Sequence, residues 1–215
     1  MCGRFTLTAT QAQLEEEFGI PIPNHEPSYN VAPSQKIMSL VGSDDGMKAG
    51  MFKWGLVPRW AKDKKIGYKM INARSETLEE KPAFKHLLTQ KRCLIVADSF
   101  YEWDRHDKKP YRIRVNNGEI VTFAGLWDRW KSEEESLVSC TIITTNANDQ
   151  LKHLHERMPV ILNEGNRQAW LDRTITDKDT VKRILVPYEG HMDAYPVSTL
   201  VNNPRNNSKE LIQPL

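Results

Sequence analysis

In MCGRF a cysteine stands directly behind the initiator methionine. Cys2 is small enough to permit trimming of that methionine, which would leave an α-amine and a thiol on adjacent carbons, a pair that no internal cysteine offers. The amine titrates near ~7.7–8.0 and a free thiol near ~8.5, so both nucleophiles are partly available at neutral pH. Such an aminothiol suits a peptidase nucleophile or an aldehyde trap. An inert cysteine near the terminus is the alternative that position alone leaves open.

Three further stretches carry polar groups beside expected strand ends: INARSE, FYEWD and HERMP. In CLIVADSFYEWD the apolar run stops at Ala97, and Glu102 then sits between Tyr101 and Trp103. A carboxyl walled by aromatics loses water, which raises its pKa and suits it to general-acid work; a position on the wet face of an alternating strand is the competing reading. His155 lies ahead of Arg157 and Pro159, where an imidazole can pass protons and a guanidinium can grip a phosphate. His153 and His155 also form an HxH pair, but neither a third ligand nor the spacing of a known zinc site accompanies them. Asn72 can orient a reacting oxygen, and Arg74 can contact a phosphate with two hydrogen bonds. Either residue equally fits a cap or a surface ion pair.

The elements that must position these groups follow from the hydrophobic pattern. KIMSLV, MFKWGLV, CLIVADSFYEW, YRIRV, EIVTFAGLWDRW and SCTIITTN read as strands. TQAQLEEEFG, KPAFKHLLTQ, NEGNRQAWLDR and DKDTVKRILV read as peripheral helices. Strands clustered centrally with flanking helices predict an α+β fold: one domain over residues 1–215, with a largely antiparallel, barrel-like mixed sheet at its core. VNNGE predicts a hairpin between YRIRV and EIVTF, and GSDDGM predicts a second strand connection. The polar tail from about residue 201 is expected to be loosely ordered.

At 215 residues, with 39% hydrophobic and 27% charged residues, the composition is that of a soluble globular chain. The start lacks the pattern of a secretory signal, no apolar run reaches membrane-spanning length, and three cysteines without a CxxC fit a reducing compartment. A net charge of +2 says little about partners. Its distribution says more: between Phe52 and Arg74 seven basic residues face a single acid, Asp63, and Trp54, Trp60 and Tyr68 lie among them. Basic groups track a phosphate backbone while aromatic faces stack on unpaired bases, so this mixture fits single-strand binding, and it also fits a solvated lysine-rich loop beside a core tryptophan.

Taken in order, MCGRF, YNVAPSQ, WGLVPRW, INARSET, FYEW, FAGLWDRW, ITTNAN and HERMP form a set that resembles the SRAP family, the SOS-response-associated peptidase-like or abasic-site-processing proteins. The resemblance runs from Cys2 to about Pro159, with no departure at the key positions. It implies covalent capture of abasic sites in single-stranded DNA through Cys2, with Glu102 as the catalytic glutamate, His155 transferring a proton at the former sugar oxygen and Asn72 orienting the opened sugar. It further implies that Gly3 allows close backbone approach and that Arg4, Arg74 and Arg157 hold phosphates. Pro33, Trp54 and Trp60 would form the wall on which bases stack or the strand bends, a core role being equally open. Self-removal of Met1, a peptidase reaction, and a lyase side reaction belong to the same expectation. No metal or organic cofactor is required, and the expected state is a cytoplasmic monomer that joins the nucleoid on DNA. A non-covalent single-strand binder and a small-substrate cysteine hydrolase are the competing functions.

Overall fold

The structure, a computed structural model, describes residues 2–215. Its strands are β1 (Phe5–Leu7), β2 (Ser28–Val31), β3 (Lys36–Ser43), β4 (Gly46–Trp54), β5 (Asn72–Arg74), β6 (Arg92–Ala97), β7 (Ser99–Trp103), β8 (Pro110–Val115), β9 (Val121–Lys131), β10 (Ser136–Asn146), β11 (Arg157–Pro159), β12 (Ile161–Leu162) and β13 (Met192–Pro196). The helices are α1 (Gln11–Phe18), α2 (Leu87–Gln90), α3 (Glu164–Leu171) and α4 (Lys178–Arg183).

Five strands close a barrel. β3 pairs antiparallel with β4 and β6, β6 with β9, and β9 with β10, and β10 returns to β4 in a parallel pairing. The expected α+β, barrel-like mixed core is therefore present. Ser39 Oγ lies 4.0 Å from Cys140 Sγ although β3 and β10 are not neighbours in the ring, which marks their shared face as the interior. Alternation on β6 then divides two cores: Cys93, Ile95 and Ala97 join the interior cluster, while Leu94 and Val96 pack outward with Leu14, Leu88 and Trp170 from the helices.

A second sheet, in the order β13-β8-β7-β1-β2, plugs one end of this barrel. The Phe5 ring stands 5.2 Å from Trp54 and 6.0 Å from Phe123, and Phe100 stands 6.1 Å from Phe123. Aromatic pairs at these separations add to the burial that joins the two sheets.

Local signals are followed where hydrogen-bonding chemistry is local. Thr10 and Gln13 form a capping box at the start of α1, and Gly19 ends the helix at φ 64. Three expectations differ from the structure. CLIVADSFYEW is two strands, because Asp98 breaks the run: its carboxylate accepts hydrogen bonds from Thr6, Thr8 N and Thr8 Oγ1, anchoring the crossing from barrel to second sheet. VNNGE reverses the chain through Asn116, Asn117 and Gly118, all at positive φ, but β8 pairs with β7 and β13 while β9 pairs with β6, β10 and β12. Turn chemistry fixes the reversal and leaves the partners to the surrounding packing. In KPAFKHLLTQ only α2 is helical, because the preceding turns are held by mixed three- and four-residue bonds around buried Ala83 and Phe84.

The tail also differs from expectation. Val201 and Leu211 are buried, and Asn30 Nδ2 donates to the carbonyls of Val201, Asn203 and Asn206. Polar composition reflects what the tail shows to solvent, whereas these backbone bonds fix its place. Among the described residues, no helix is long and apolar enough to cross a membrane.

Candidate active site

β1 brings the segment from Cys2 onward to the junction of barrel and plug. Phe5 opposes Phe100 and Thr6 opposes Ser99, and Tyr101 N donates to Arg4 O at 2.9 Å, so the register continues toward Gly3 opposite Glu102. Cys2 has no exposed surface and belongs to the interior cluster. Burial pushes its thiol pKa well up, and the negative charge of Glu102 pushes it further in the same direction. In the resting site the sulfur is a protonated thiol, with Sγ 4.0 Å from Arg4 O. Trimming of Met1 concerns a residue outside the described range.

Glu102 is 4% exposed on β7. Its pKa is raised to about 7, chiefly by removal from water. The cause differs in one respect from the sequence expectation. Alternation along β7 sends Phe100 and Glu102 to the barrel side, whereas Tyr101 and Trp103 join the cluster with Val197, Val201 and Leu211 on the other face. Stacking of the second sheet against the barrel, not the adjacent aromatic residues, therefore dries the carboxyl.

Asn72 enters from the barrel side on β5, paired in parallel with Ile142 of β10. Its Nδ2 donates to Cys2 O at 2.9 Å, tying the N-terminal segment to the barrel, and its Oδ1 is buried with no hydrogen-bond partner. A buried acceptor left open is costly, and it suits a site that receives a hydroxyl donor from substrate.

His155 occupies a turn just before β11, not a strand, so His153 and His155 do not share a strand face; His153 is exposed and His155 half-buried. Leu151, Leu154 and Met158 around it join the Cys2 cluster, which sets the turn against the site. Arg157 N donates to His155 Nδ1 at 3.0 Å. With Nδ1 accepting from that N–H, a neutral imidazole carries its proton on Nε2, and burial lowers the ring's pKa.

The expected phosphate contacts divide. Arg157 is committed within the protein: its fork spans Glu76 at 2.7 and 3.0 Å and donates to Thr144 O and Asn146 Oδ1. Both terminal nitrogens are thus engaged within the protein, where the side chain helps to hold the His155 turn. Arg4 directs both of its hydrogen bonds, to Asn30 Oδ1 and Val201 O, from Nη1, while its guanidinium lies 5.8 Å from the Trp103 ring centre. Arg74 is exposed at the end of β5. Asn30, which sequence reasoning passed over, links Arg4 to the tail; its position inside YNVAPSQ was the available signal.

Of the wall residues, Trp54 is wholly buried and donates from Nε1 to Ile71 O at 2.9 Å, so it forms core and cannot stack on a base. Pro33 is half-buried in the turn between β2 and β3, and Trp60 is 56% exposed. Trp54→Ala is expected to cost ~3–5 kcal/mol in denaturant unfolding. Trp60→Ala should stay within ~0.5 kcal/mol in the same measurement.

A large cavity of about 1110 Å³ lies elsewhere, between α1, α3 and the β3–β4 turn. Its Arg167 and Arg173 are paired with Glu17 and Asp44.

Where β1 enters the junction of the closed barrel and the sheet that plugs it stand a buried thiol, a dry carboxyl and an open amide acceptor. The chain belongs to the SOS response associated peptidase (SRAP) family, which matches residues 1–204. It is 50% identical over 222 residues to abasic site processing protein YoqW of Bacillus subtilis (strain 168), covering 99% of each chain. It is 33% identical over 261 residues to abasic site processing protein HMCES of Xenopus tropicalis, covering 98% of this chain and 77% of that one. A crystal structure of a protein from Bacteroides thetaiotaomicron matches with a TM-score of 0.90 at 26% identity, covering 100% of both chains.

Proposed function

We propose that the protein processes abasic sites in single-stranded DNA by forming a covalent adduct through Cys2. The observation that carries this reading is the meeting of Cys2 with Glu102 and Asn72 where β1 enters the barrel junction. The relatives' names, abasic site processing protein, supply the substrate class.

An abasic deoxyribose is partly an open-chain aldehyde. After Met1 is removed, the Cys2 amine adds to the aldehyde carbon, and the resulting carbinolamine expels water to give an imine. The sulfur then adds to the same carbon while the thiol proton passes to nitrogen, closing a five-membered thiazolidine. Overall, one water leaves and no oxidant or reductant is needed. Holding both nucleophiles on one residue gives the second step a high effective concentration.

Glu102, with a pKa of about 7, has a proton to give at neutral pH and can take one back. It would protonate the departing hydroxyl, recover that proton from the iminium nitrogen, and then relay the thiol proton to the nitrogen as sulfur adds, sparing a buried thiolate. His155 would donate from Nε2 to the former ring oxygen, and Asn72 Oδ1 would accept from a sugar hydroxyl. Arg74, and Arg4 through Nη2, would meet flanking phosphates, with Trp60 stacking on a base. Ring closure withdraws the imine from β-elimination, so lyase activity would be a side reaction. Removal of Met1 by the same groups would be the activating peptidase step. In this reading the protein acts as a monomer at the nucleoid in the cytoplasm.

Intact mass spectrometry tests the proposal. Protein lacking Met1, incubated with a single-stranded oligonucleotide bearing one abasic site, should gain the oligonucleotide's mass minus one water, in a heat-resistant adduct that maps to Cys2. An unchanged mass would refute covalent capture.

A further inference from the structure

We infer that Tyr68, together with Lys53, forms a nucleobase-stacking subsite on one side of the abasic sugar, an inference that rests on the proposed handling of single-stranded DNA. Tyr68 is 65% exposed, and the Lys53 ammonium lies 5.7 Å from its ring centre. The ring contributes little to the core, while its face and neighbouring cation are the elements that hold an unpaired base and its phosphate.

Its placement follows from the sheet. Lys53, Asn72 and Arg74 stand opposite Ser139, Ile142 and Thr144, so they succeed one another in the same direction along β10. Three residues of strand separate the Lys53 level from the Asn72 level, roughly 10 Å. Tyr68 lies four residues before Asn72 in sequence, so their backbones are at most ~14 Å apart. That span suits a nucleotide next to, or one removed from, the sugar at Asn72. Lys65 and Lys69, both exposed, flank the ring on its turn.

The turn that carries Tyr68 is fixed before any ligand arrives. Leu56 N donates to Met70 O at 3.0 Å, and Trp54 Nε1 donates to Ile71 O at 2.9 Å. Gly55, at φ +123, approaches Gly67 so closely that a Cβ on Gly55 would stand 2.6 Å from Gly67 O. A platform held in this way orders few groups on binding, which favours affinity.

The test measures affinity for three oligonucleotides carrying a non-reactive tetrahydrofuran site: one with bases on both sides, and two in which the bases on one side or the other are replaced by tetrahydrofuran spacers. Tyr68→Ala should weaken the fully based oligonucleotide by ~5- to ~160-fold, the range for one lost base stack. That loss should disappear for one of the spacer oligonucleotides and persist for the other. Tyr68→Phe should stay within about twofold of wild type, because stacking needs no hydroxyl; Lys53→Ala should weaken the same side. Thermal unfolding of Tyr68→Ala should match wild type, given the exposure of the ring. Equal affinity of Tyr68→Ala and wild type on every oligonucleotide, an equal loss on all three, or no measurable binding by wild type would overturn the subsite. A one-sided loss would support it even if wild type formed no covalent adduct with an authentic abasic site, an outcome that would remove only the cross-linking chemistry.

Discussion

Cys2→Ala is expected to abolish the heat-resistant covalent product while single-stranded DNA is still retained. The variant keeps the α-amine, so it can form an imine, but it has no second nucleophile to close onto the same carbon. A reversible imine hydrolyses on heating, and the heat-resistant band on a denaturing gel should vanish. Cys2→Ser separates the two steps more finely: its hydroxyl is the poorer nucleophile, and at most a labile adduct should form, one that borohydride converts into a stable amine. A heat-resistant adduct from either variant without borohydride would rule out closure through sulfur. Because Cys2 lies in the interior cluster, circular dichroism and thermal unfolding must accompany the assay, and retained DNA binding shows that the fold persists.

Glu102→Gln is expected to slow adduct formation by ~10²-fold, the lower end of what a positioned acid or base contributes, with DNA affinity little changed. The pH dependence identifies the group. Wild type should lose rate as pH rises through about 7, where Glu102 gives up its proton, and this limb should be absent in the variant. The stability of the same pair is linked to pH. The folded-state pKa of about 7 lies above the ordinary value near ~4.3, so the native state holds this proton more tightly than the unfolded chain does. The resulting stability is complete below ~pH 4.3 and is lost as pH rises through about 7, a change on the order of 3 kcal/mol. Glutamine does not titrate, so the variant should gain stability relative to wild type by about that amount between pH 4 and pH 8. Urea unfolding at the two pH values reads this directly; a constant difference would mean that Glu102 does not carry a raised pKa. A slower variant that is also more stable at pH 8 is the signature of a carboxyl kept dry for chemistry.

Some of this arrangement was legible in the residues themselves. The second position of Cys2 defines an aminothiol whatever the fold, because both nucleophiles belong to one residue. The capping box at Thr10 and Gln13, the strand periodicities and the chain reversal at Asn116–Gly118 are also local, since each depends on bonds or alternation within a few residues. The order of the motifs added the family resemblance, and with it the candidate roles of Asn72, Glu102 and His155.

Other features are decided by long-range packing. Glu102 owes its dryness to a second sheet laid across the barrel, not to the aromatic residues beside it, because alternation turns those to the opposite face. HERMP does not reveal that Glu76, distant in sequence, meets the fork of Arg157 and ties it to the His155 turn. Trp54 and Trp60 lie in the same short motif, and only the barrel sends one inward and leaves the other in solvent. The polar tail is anchored by Asn30 through three backbone carbonyls that composition cannot reveal. Sequence alone determined which groups can react, because reactivity resides in covalent structure. Tertiary structure decided which are dry, which are already paired and which face solvent, because solvation and partnership depend on residues that meet only when the chain closes.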